Sequence, residues 1–281
     1  MVDSTTRRAG CLLGAIIVLL AGAGFGVYAF LNARGLTAPA QDEQRCVATA
    51  GGQSVALTLD QAHFTSIIVG VSVRRGLAPR AASIAMATVY QETGIRNLDY
   101  GDRDSVGLFQ QRPSQGWGSV EQLMDPYYAT GKFYDALVKI EGWETGDVND
   151  VAQRVQRSGY PEAYRDHEAD ARVLASALTG RSPAGISCLE REATAGSTRA
   201  AVTGLEKTFG PLAERTEGTV VTIRAKTRPL AWAYAHFAVA NTKAYGVTGV
   251  QVGQRVWATG TTELPSWTEA ADSTEVRITV R

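Results

Sequence analysis

Glu92 is the residue of this chain whose type and position best fit a chemical role. It lies in the last turn of a helix predicted over residues 79–93, which starts at Pro79 and stops at the glycine cap Gly94. The negative end of the helix dipole disfavours the ionised carboxylate there, so the side chain could hold a proton near neutral pH. Such a carboxyl group suits general acid catalysis, although a solvated glutamate at a helix end would fit the same pattern.

A second helix and a loop are expected to position Glu92. Thr58 and Gln61 predict a capping box that opens a helix whose apolar residues recur at helical spacing. After the helix of Glu92, residues 100–107 are dense in glycine and aspartate and predict a loop or short hairpin. Further helices are predicted around residues 120–124, 129–141, 150–158 and 161–178. Residues 46–188 are therefore expected to be mainly helical.

Two short motifs lie on either side of this loop. QETGI (residues 91–95) is followed by GLFQ (residues 107–110), and Gly107 comes 15 residues after Glu92. Together they resemble the Glu-Ser-Gly and Gly-Leu-Met-Gln motifs of the lysozyme-like fold in soluble lytic transglycosylases and goose-type lysozymes. The surrounding sequence is still more similar to membrane-anchored actinobacterial proteins with this fold. The resemblance covers about residues 46–180.

The resemblance implies roles for several residues. Glu92 matches the catalytic acid, Gln110 the glutamine beside the saccharide cleft, and Gly107 the glycine that lets the backbone approach the substrate. The family's late Tyr-Asn-Ala/Gly motif is not evident, and VQRS (residues 155–158) stands in its place. The candidates for the missing hydroxyl are Tyr160 and Tyr164. This departure keeps open a degenerate domain that binds sugar without cleaving it.

The implied reaction is cleavage of the glycosidic bond between N-acetylmuramic acid and N-acetylglucosamine in peptidoglycan. Most glycosidases need two carboxylates, and the candidates for a second one are Asp99, Asp102 and Asp104. Lytic transglycosylases use one glutamate as acid and then as base, because the 6-hydroxyl of the sugar attacks the anomeric carbon. We favour that reaction, with the aspartates bonding the local backbone and Arg103. A muramidase-type hydrolase is the runner-up, and neither reaction needs a metal or cofactor.

Trp117 is the strongest candidate for stacking on a sugar ring. Gly116 and Gly118 flank it, and such a segment can bring an aromatic side chain to the surface. Arg112 is a candidate for contacting a carboxylate of the peptide stem, and a plain surface arginine fits it equally well.

The N-terminal segment predicts a membrane anchor. Residues 9–33 carry no charge, and the apolar stretch 11–31 is long enough for a bilayer that needs about 20 residues. Arg7 and Arg8 precede it, which predicts a cytoplasmic tip and transmembrane signal-anchor over residues 1–34, a tether over 35–45, and the rest of the chain outside the cytoplasm. A cleaved signal peptide is the alternative.

Cys46 and Cys188 are expected to pair. Both follow the apolar segment, and in an oxidising compartment they would form one disulfide that joins the ends of the lysozyme-like domain. Two separate buried thiols are the alternative.

The composition is that of a globular protein. Hydrophobic residues make up 44% and charged residues 20%, and the formal net charge of zero argues against nucleic acid as the main partner. A linker is predicted over residues 189–200, followed by a small α/β domain over 201–281. The predicted fold class is thus α+β, with an N-terminal transmembrane helix, a mainly helical lysozyme-like domain over 46–188 and the small α/β domain.

The sequence therefore predicts a membrane-anchored, extracytoplasmic lytic transglycosylase whose partners are the glycan strands of peptidoglycan and, through its N-terminal helix, the membrane. Two other readings stay open. One is a catalytically inert wall-binding or scaffolding protein. The other is an accessory subunit that opens the wall for a secretion or conjugation system.

Overall fold

The computed structural model describes residues 44–192 and 194–281, which form a mixed α+β fold with two antiparallel sheets. The first part contains, in chain order, β1 (Arg45–Ala50), β2 (Gln53–Leu57), α1 (Leu59–Arg74), α2 (Pro79–Thr93), α3 (Val120–Met124), α4 (Pro126–Leu137), α5 (Val148–Gln156), α6 (Glu168–Leu178) and β3 (Ile186–Leu189). The second part contains α7 (Thr198–Phe209), β4 (Glu214–Glu217), β5 (Val220–Arg224), α8 (Arg228–Ala240), α9 (Thr242–Tyr245), β6 (Val247–Val252), β7 (Arg255–Ala258) and β8 (Glu275–Val280).

The helix that carries Glu92 and the helix before it form as predicted. Thr58 and Gln61 make the expected capping box at the start of α1. Helix α2 ends at Gly94, whose φ of 61° is the left-handed conformation that glycine adopts without strain. The Gln61 amide also donates to the Gly94 carbonyl at 2.9 Å, so the start of α1 is tied to the end of α2.

A three-stranded sheet, ordered β2-β1-β3, lies at the two ends of the domain that was predicted to be mainly helical, where no strand was predicted. Gly51 and Gly52 join β1 to β2 with φ values of 57° and 78°, the two positive angles that a type I′ hairpin turn requires. Strand β3 pairs with the other edge of β1 and places Cys188 opposite Cys46. The prediction of a mainly helical domain was therefore wrong for its two ends, which meet as strands.

The predicted disulfide is confirmed between Cys46 and Cys188. Both residues are fully buried. The bridge spans a sequence separation of 142 residues, for which the chain-entropy model gives a stabilisation of up to about 5 kcal/mol. It therefore locks the two ends of the first part of the chain together beneath the helices.

A five-stranded sheet, ordered β4-β5-β8-β6-β7, forms the second part of the chain. Helix α8 packs across β6 and β8. The sequence predicts strands over residues 219–225, 247–257 and 274–281 and a helix over 229–245. The strands are present, the helix forms as α8 and α9, and α7 and β4 were not predicted. Helix α7 starts inside the predicted linker, where the Ser197 side chain caps it. Its Gly204 lies so close to Tyr245 that any larger side chain would collide with the ring.

The two parts share one core. Residues Gln44–Arg281 form a single compact unit, and α1 packs against α7 and α8 as well as against α2. His236 on α8 is fully buried and accepts the backbone N–H of Gly185 at 3.1 Å. Asn241 donates to Ser66 on α1 at 2.9 Å. The expectation of a small separate α/β domain is corrected accordingly.

The predicted transmembrane helix is not found in the part of the chain that the structure describes. None of the helices in residues 44–192 and 194–281 combines the length and the apolar character needed to cross a membrane. The described residues do not include the segment 11–31, on which that helix was predicted and to which Cys11 belongs. They also leave out most of the tether.

Candidate active site

Glu92 lies in the last turn of α2, where two local features hold the backbone. Thr93 places its hydroxyl 3.0 Å from the carbonyl of Leu108, which joins the end of the helix to the second motif. The next residue, Ile95, is buried and has a φ of 59°. A positive φ is costly for a β-branched residue, and such strain concentrates at functional sites.

Two donors converge on one oxygen of Glu92. The Tyr164 hydroxyl donates to Oε1 at 2.8 Å, and the Gln156 amide Nε2 donates to the same atom at 3.2 Å. Nε2 also donates to the carbonyl of Phe109 at 2.8 Å, so both neighbours of this nitrogen are acceptors and the amide orientation follows from them. The carboxyl group is thus held by residues 64 and 72 positions further along the chain.

The environment of Glu92 favours its protonated form. Burial raises the pKa of this carboxyl, and the hydrogen bonds from Gln156 and Tyr164 lower it only in part. Burial and the nearby Glu92 charge raise the pKa of Tyr164, so its hydroxyl stays protonated as a donor. Because an amide nitrogen cannot accept a hydrogen bond, the proton of the neutral acid belongs on Oε2, which has no hydrogen-bond partner among the described residues.

Glu92 lines a cleft of about 440 Å³. Three residues of the cleft wall, Arg103, Gln110 and Arg157, have positive φ without being glycine. Their φ values are 57°, 49° and 53°. Each of these backbone conformations is sparsely populated, so the surrounding fold must hold it in place. The unfavourable backbone conformations of this region therefore gather around the Glu92 carboxyl.

The residues carried by the second motif occupy different positions. Gln110 lines the cleft, and its amide donates to the carbonyls of Tyr100 and Gly107 at 3.2 Å and 3.3 Å. Gly107 is buried and is not part of the cleft lining. Any side chain there would collide with the carbonyl of Leu123. The glycine is needed for the packing of the loop against α3, whereas the approach to substrate was the role predicted for it.

The three candidate aspartates are separated by the fold. Asp104 accepts from the Arg112 guanidinium at 2.7 Å and from the Ser114 backbone at 2.7 Å. These bonds hold the pKa of Asp104 well below its usual range, so it stays ionised and fixes the loop. Asp102 lines the cleft as an exposed side chain, 3.8 Å from Arg103. Asp99 is exposed and does not line the cleft.

The Asp104 ion pair also decides the role of Arg112. Its guanidinium pairs with a carboxylate of the protein itself. The charge of Arg112, which the sequence analysis considered for binding the peptide stem, therefore stabilises the loop.

Only Asp102 of the three candidate aspartates lines the cleft together with Glu92.

The aromatic candidates lie at the cleft, with Tyr164 beneath it. Trp117 and Tyr160 both line it, and Tyr160 has 76% of its surface exposed. Gly118 lets this segment pack against Tyr128, because a Cβ there would lie 2.8 Å from the Tyr128 ring, and the Tyr128 hydroxyl donates to the Trp117 carbonyl at 3.3 Å. Tyr164 is fully buried and reaches Glu92 from below the surface. Of the two tyrosines considered for the missing hydroxyl, Tyr164 is the one in contact with the carboxyl group.

The comparisons with known proteins add nothing to this geometry. No protein-family model matches the sequence, and no curated protein matches it.

Gln156 is the site residue that the sequence reasoning missed. It belongs to the VQRS segment, which stands where the Tyr-Asn-Ala/Gly motif was sought. The available signal was its position in the last turn of α5, because Glu92 likewise lies in the last turn of α2. In the structure these two helices pack together.

Proposed function

We propose that this protein is a lytic transglycosylase that cleaves the bond between N-acetylmuramic acid and N-acetylglucosamine in peptidoglycan. The observation that carries the proposal is the state of Glu92, a half-buried carboxyl group with a raised pKa, held by Tyr164 and Gln156 at the wall of a cleft. The resemblance of the two motifs to the lysozyme-like fold supplies the substrate class.

Glu92 can serve as the acid of the first step. Its proton on Oε2 transfers to the glycosidic oxygen as the bond to the anomeric carbon of the muramic acid breaks, and the leaving N-acetylglucosamine departs as an alcohol. Tyr164 and Gln156 remain on Oε1 and stabilise the negative charge that develops on the carboxylate.

The same carboxylate can serve as the base of the second step. The 6-hydroxyl of the muramic acid attacks the anomeric carbon, and its proton passes to Glu92, which closes a 1,6-anhydro ring and restores the acid. No water is consumed. The reaction needs no second ionised carboxylate, which agrees with the commitment of Asp104 to Arg112 and Ser114.

Two features fit action outside the cytoplasm. Peptidoglycan lies there, and the disulfide between Cys46 and Cys188 is stable in an oxidising compartment. We therefore place the proposed activity on the outer side of the cytoplasmic membrane.

Mass spectrometry of peptidoglycan digested by the full chain tests the proposal. We expect products with 1,6-anhydromuramic ends, which are lighter than hydrolytic products by one water. Reducing ends, together with inactivation by Asp102→Asn, would instead indicate a muramidase-type hydrolase, since Asp102 is the aspartate in the cleft. Intact glycan that still binds the protein would indicate an inert wall-binding module.

The pH dependence of cleavage is expected to change in Tyr164→Phe. The lost hydroxyl donates to the ionised form of Glu92, so its removal raises the pKa of Glu92 further. Because the first step needs the protonated acid, the alkaline limb of the pH–rate profile should move to higher pH. The control Tyr160→Phe alters a cleft tyrosine without a bond to Glu92 and should leave the limb in place. An unmoved limb in Tyr164→Phe would contradict this role.

A further inference from the structure

The Glu92 cleft continues into a second groove. Both are lined by Trp117, Gln156 and Arg157, so they form one channel along the surface. The second groove has a volume of about 700 Å³ and runs between α4 and α5. A channel of this size has room for more of a substrate than the two sugars that flank a scissile bond, and we call this second part the side groove.

The side groove is lined by cations without any carboxylate. Its charged residues are Lys139, Arg154 and Arg157, all exposed. None of them forms an ion pair with another described residue, and Arg154 donates only to the backbone carbonyl of Glu141, at 2.9 Å. Since the whole chain has a formal net charge of zero, this local excess of positive charge does not reflect a generally basic protein.

The carboxylate of Asp135 does not neutralise this charge. Asp135 lies next to the side groove, beside Lys139, but it is paired with Arg75. Lys132 lies over the ring of Tyr128, 5.3 Å from its centre, and adds to the positive charge of the same surface. Unlike Arg112 in the cleft, the cations of the side groove are free to bind a ligand.

We infer that the side groove binds the carboxylates of the peptide attached to the glycan strand. This inference rests on the proposed function, because it takes the glycan to lie along Glu92. An N-acetylated sugar backbone is itself neutral once its lactyl group carries a peptide, so the negative charge must come from the substituent. Arginine and lysine bind carboxylates well, and arginine can do so through two parallel hydrogen bonds. The substrate class is then a glycan strand that still bears acidic peptides.

Binding measurements with the full chain test this inference. The background is Glu92→Gln, which cannot turn over the glycan. The test variant adds Lys139→Gln and Arg154→Gln, and a matched control adds Lys226→Gln and Arg199→Gln, which remove the same charge from exposed positions outside the grooves. The three probes are glycan oligomers with their peptides, the same oligomers freed of peptide by an amidase, and the free stem peptide.

We expect the test variant to raise the Kd for peptide-bearing glycan roughly fivefold to tenfold, because it removes two solvent-exposed charge pairs with the peptide, and such pairs are individually weak. The Kd of the test variant for peptide-free glycan should match that of the Glu92→Gln background. The control variant should have the same Kd as the background for all three probes. The Kd for peptide-bearing glycan should also rise with salt.

Three results would overturn the inference. They are an equal loss for glycan with and without peptide, no loss for either, or a loss of the same size in the control. The proposed function is decided separately by the cleavage products. If no glycan binds, the free stem peptide still tests the inference. Its binding should weaken in the test variant, and unchanged or undetectable binding of the peptide would contradict the inference.

Discussion

Glu92→Gln is expected to lower glycan cleavage by at least roughly 10²–10⁴-fold, the contribution attributed to general acid–base catalysis. Glutamine keeps the size of the side chain and can still accept from Tyr164 and Gln156, but it has no proton to transfer to the glycosidic oxygen. Binding of the glycan should therefore persist. Release of soluble products from purified peptidoglycan, measured beside binding to the same material, checks both parts of this expectation.

A loss of folding is not expected to explain this result. Burial raises the pKa of Glu92 above its value in the unfolded chain, so its contribution to stability is present at low pH and is lost as the pH rises through the folded-state value. Glu92→Gln should thus be at least as stable as the wild type above that pH. Thermal unfolding at several pH values measures the difference.

Substitutions of the aspartates serve as controls for the same assay. Asp99→Asn and Asp102→Asn should retain cleavage if the single-glutamate mechanism holds. Asp104→Asn removes the ion pair with Arg112 and should also retain cleavage, with a less stable loop. Full activity of Glu92→Gln would contradict both the transglycosylase and the hydrolase.

A chain that ends after Ala195 is expected not to fold, in contrast to the independent domain that the sequence predicts. Residues 67–71 of α1 are all buried, so this helix has no solvent-facing side there. Gly70 faces Thr208 and Phe209 of α7, which the truncation removes. The truncated chain would expose this apolar surface together with the sheet edge at β3. We expect it to be insoluble or to lack a cooperative unfolding transition.

Gly180→Ala tests another contact between the two parts of the chain, without truncation. Gly180 has a φ of 76°, and a Cβ there would collide with the backbone of Pro229 at the start of α8. Such a clash between backbones cannot be relieved by turning a side chain, so the substitution should be among the strongly destabilising ones. Gly218→Ala is a matched control, because Gly218 also has a positive φ, of 57°, but has open space around it. Equal stability of the two variants would contradict the close approach of Gly180 to α8. A soluble truncated chain with a cooperative unfolding transition would show that the first part folds independently.

Local signals in the sequence were sufficient for several elements. The capping box of Thr58 and Gln61 and the glycine cap at Gly94 each act within one turn of a helix, so their residues are neighbours in sequence. The hairpin of β1 and β2 was missed although Gly51 and Gly52 carry its signal. The start of α7 was missed because its polar, small residues resemble those of a linker.

The sequence by itself determined Glu92 as the candidate acid and Cys46 with Cys188 as the disulfide, because residue type and a short local context identify both. Only the tertiary structure decided that Tyr164 and Gln156 hold the carboxyl group and that the two parts of the chain share a core. These contacts join residues more than 60 positions apart. No local pattern encodes such pairs, since they depend on how buried helices and strands pack against each other.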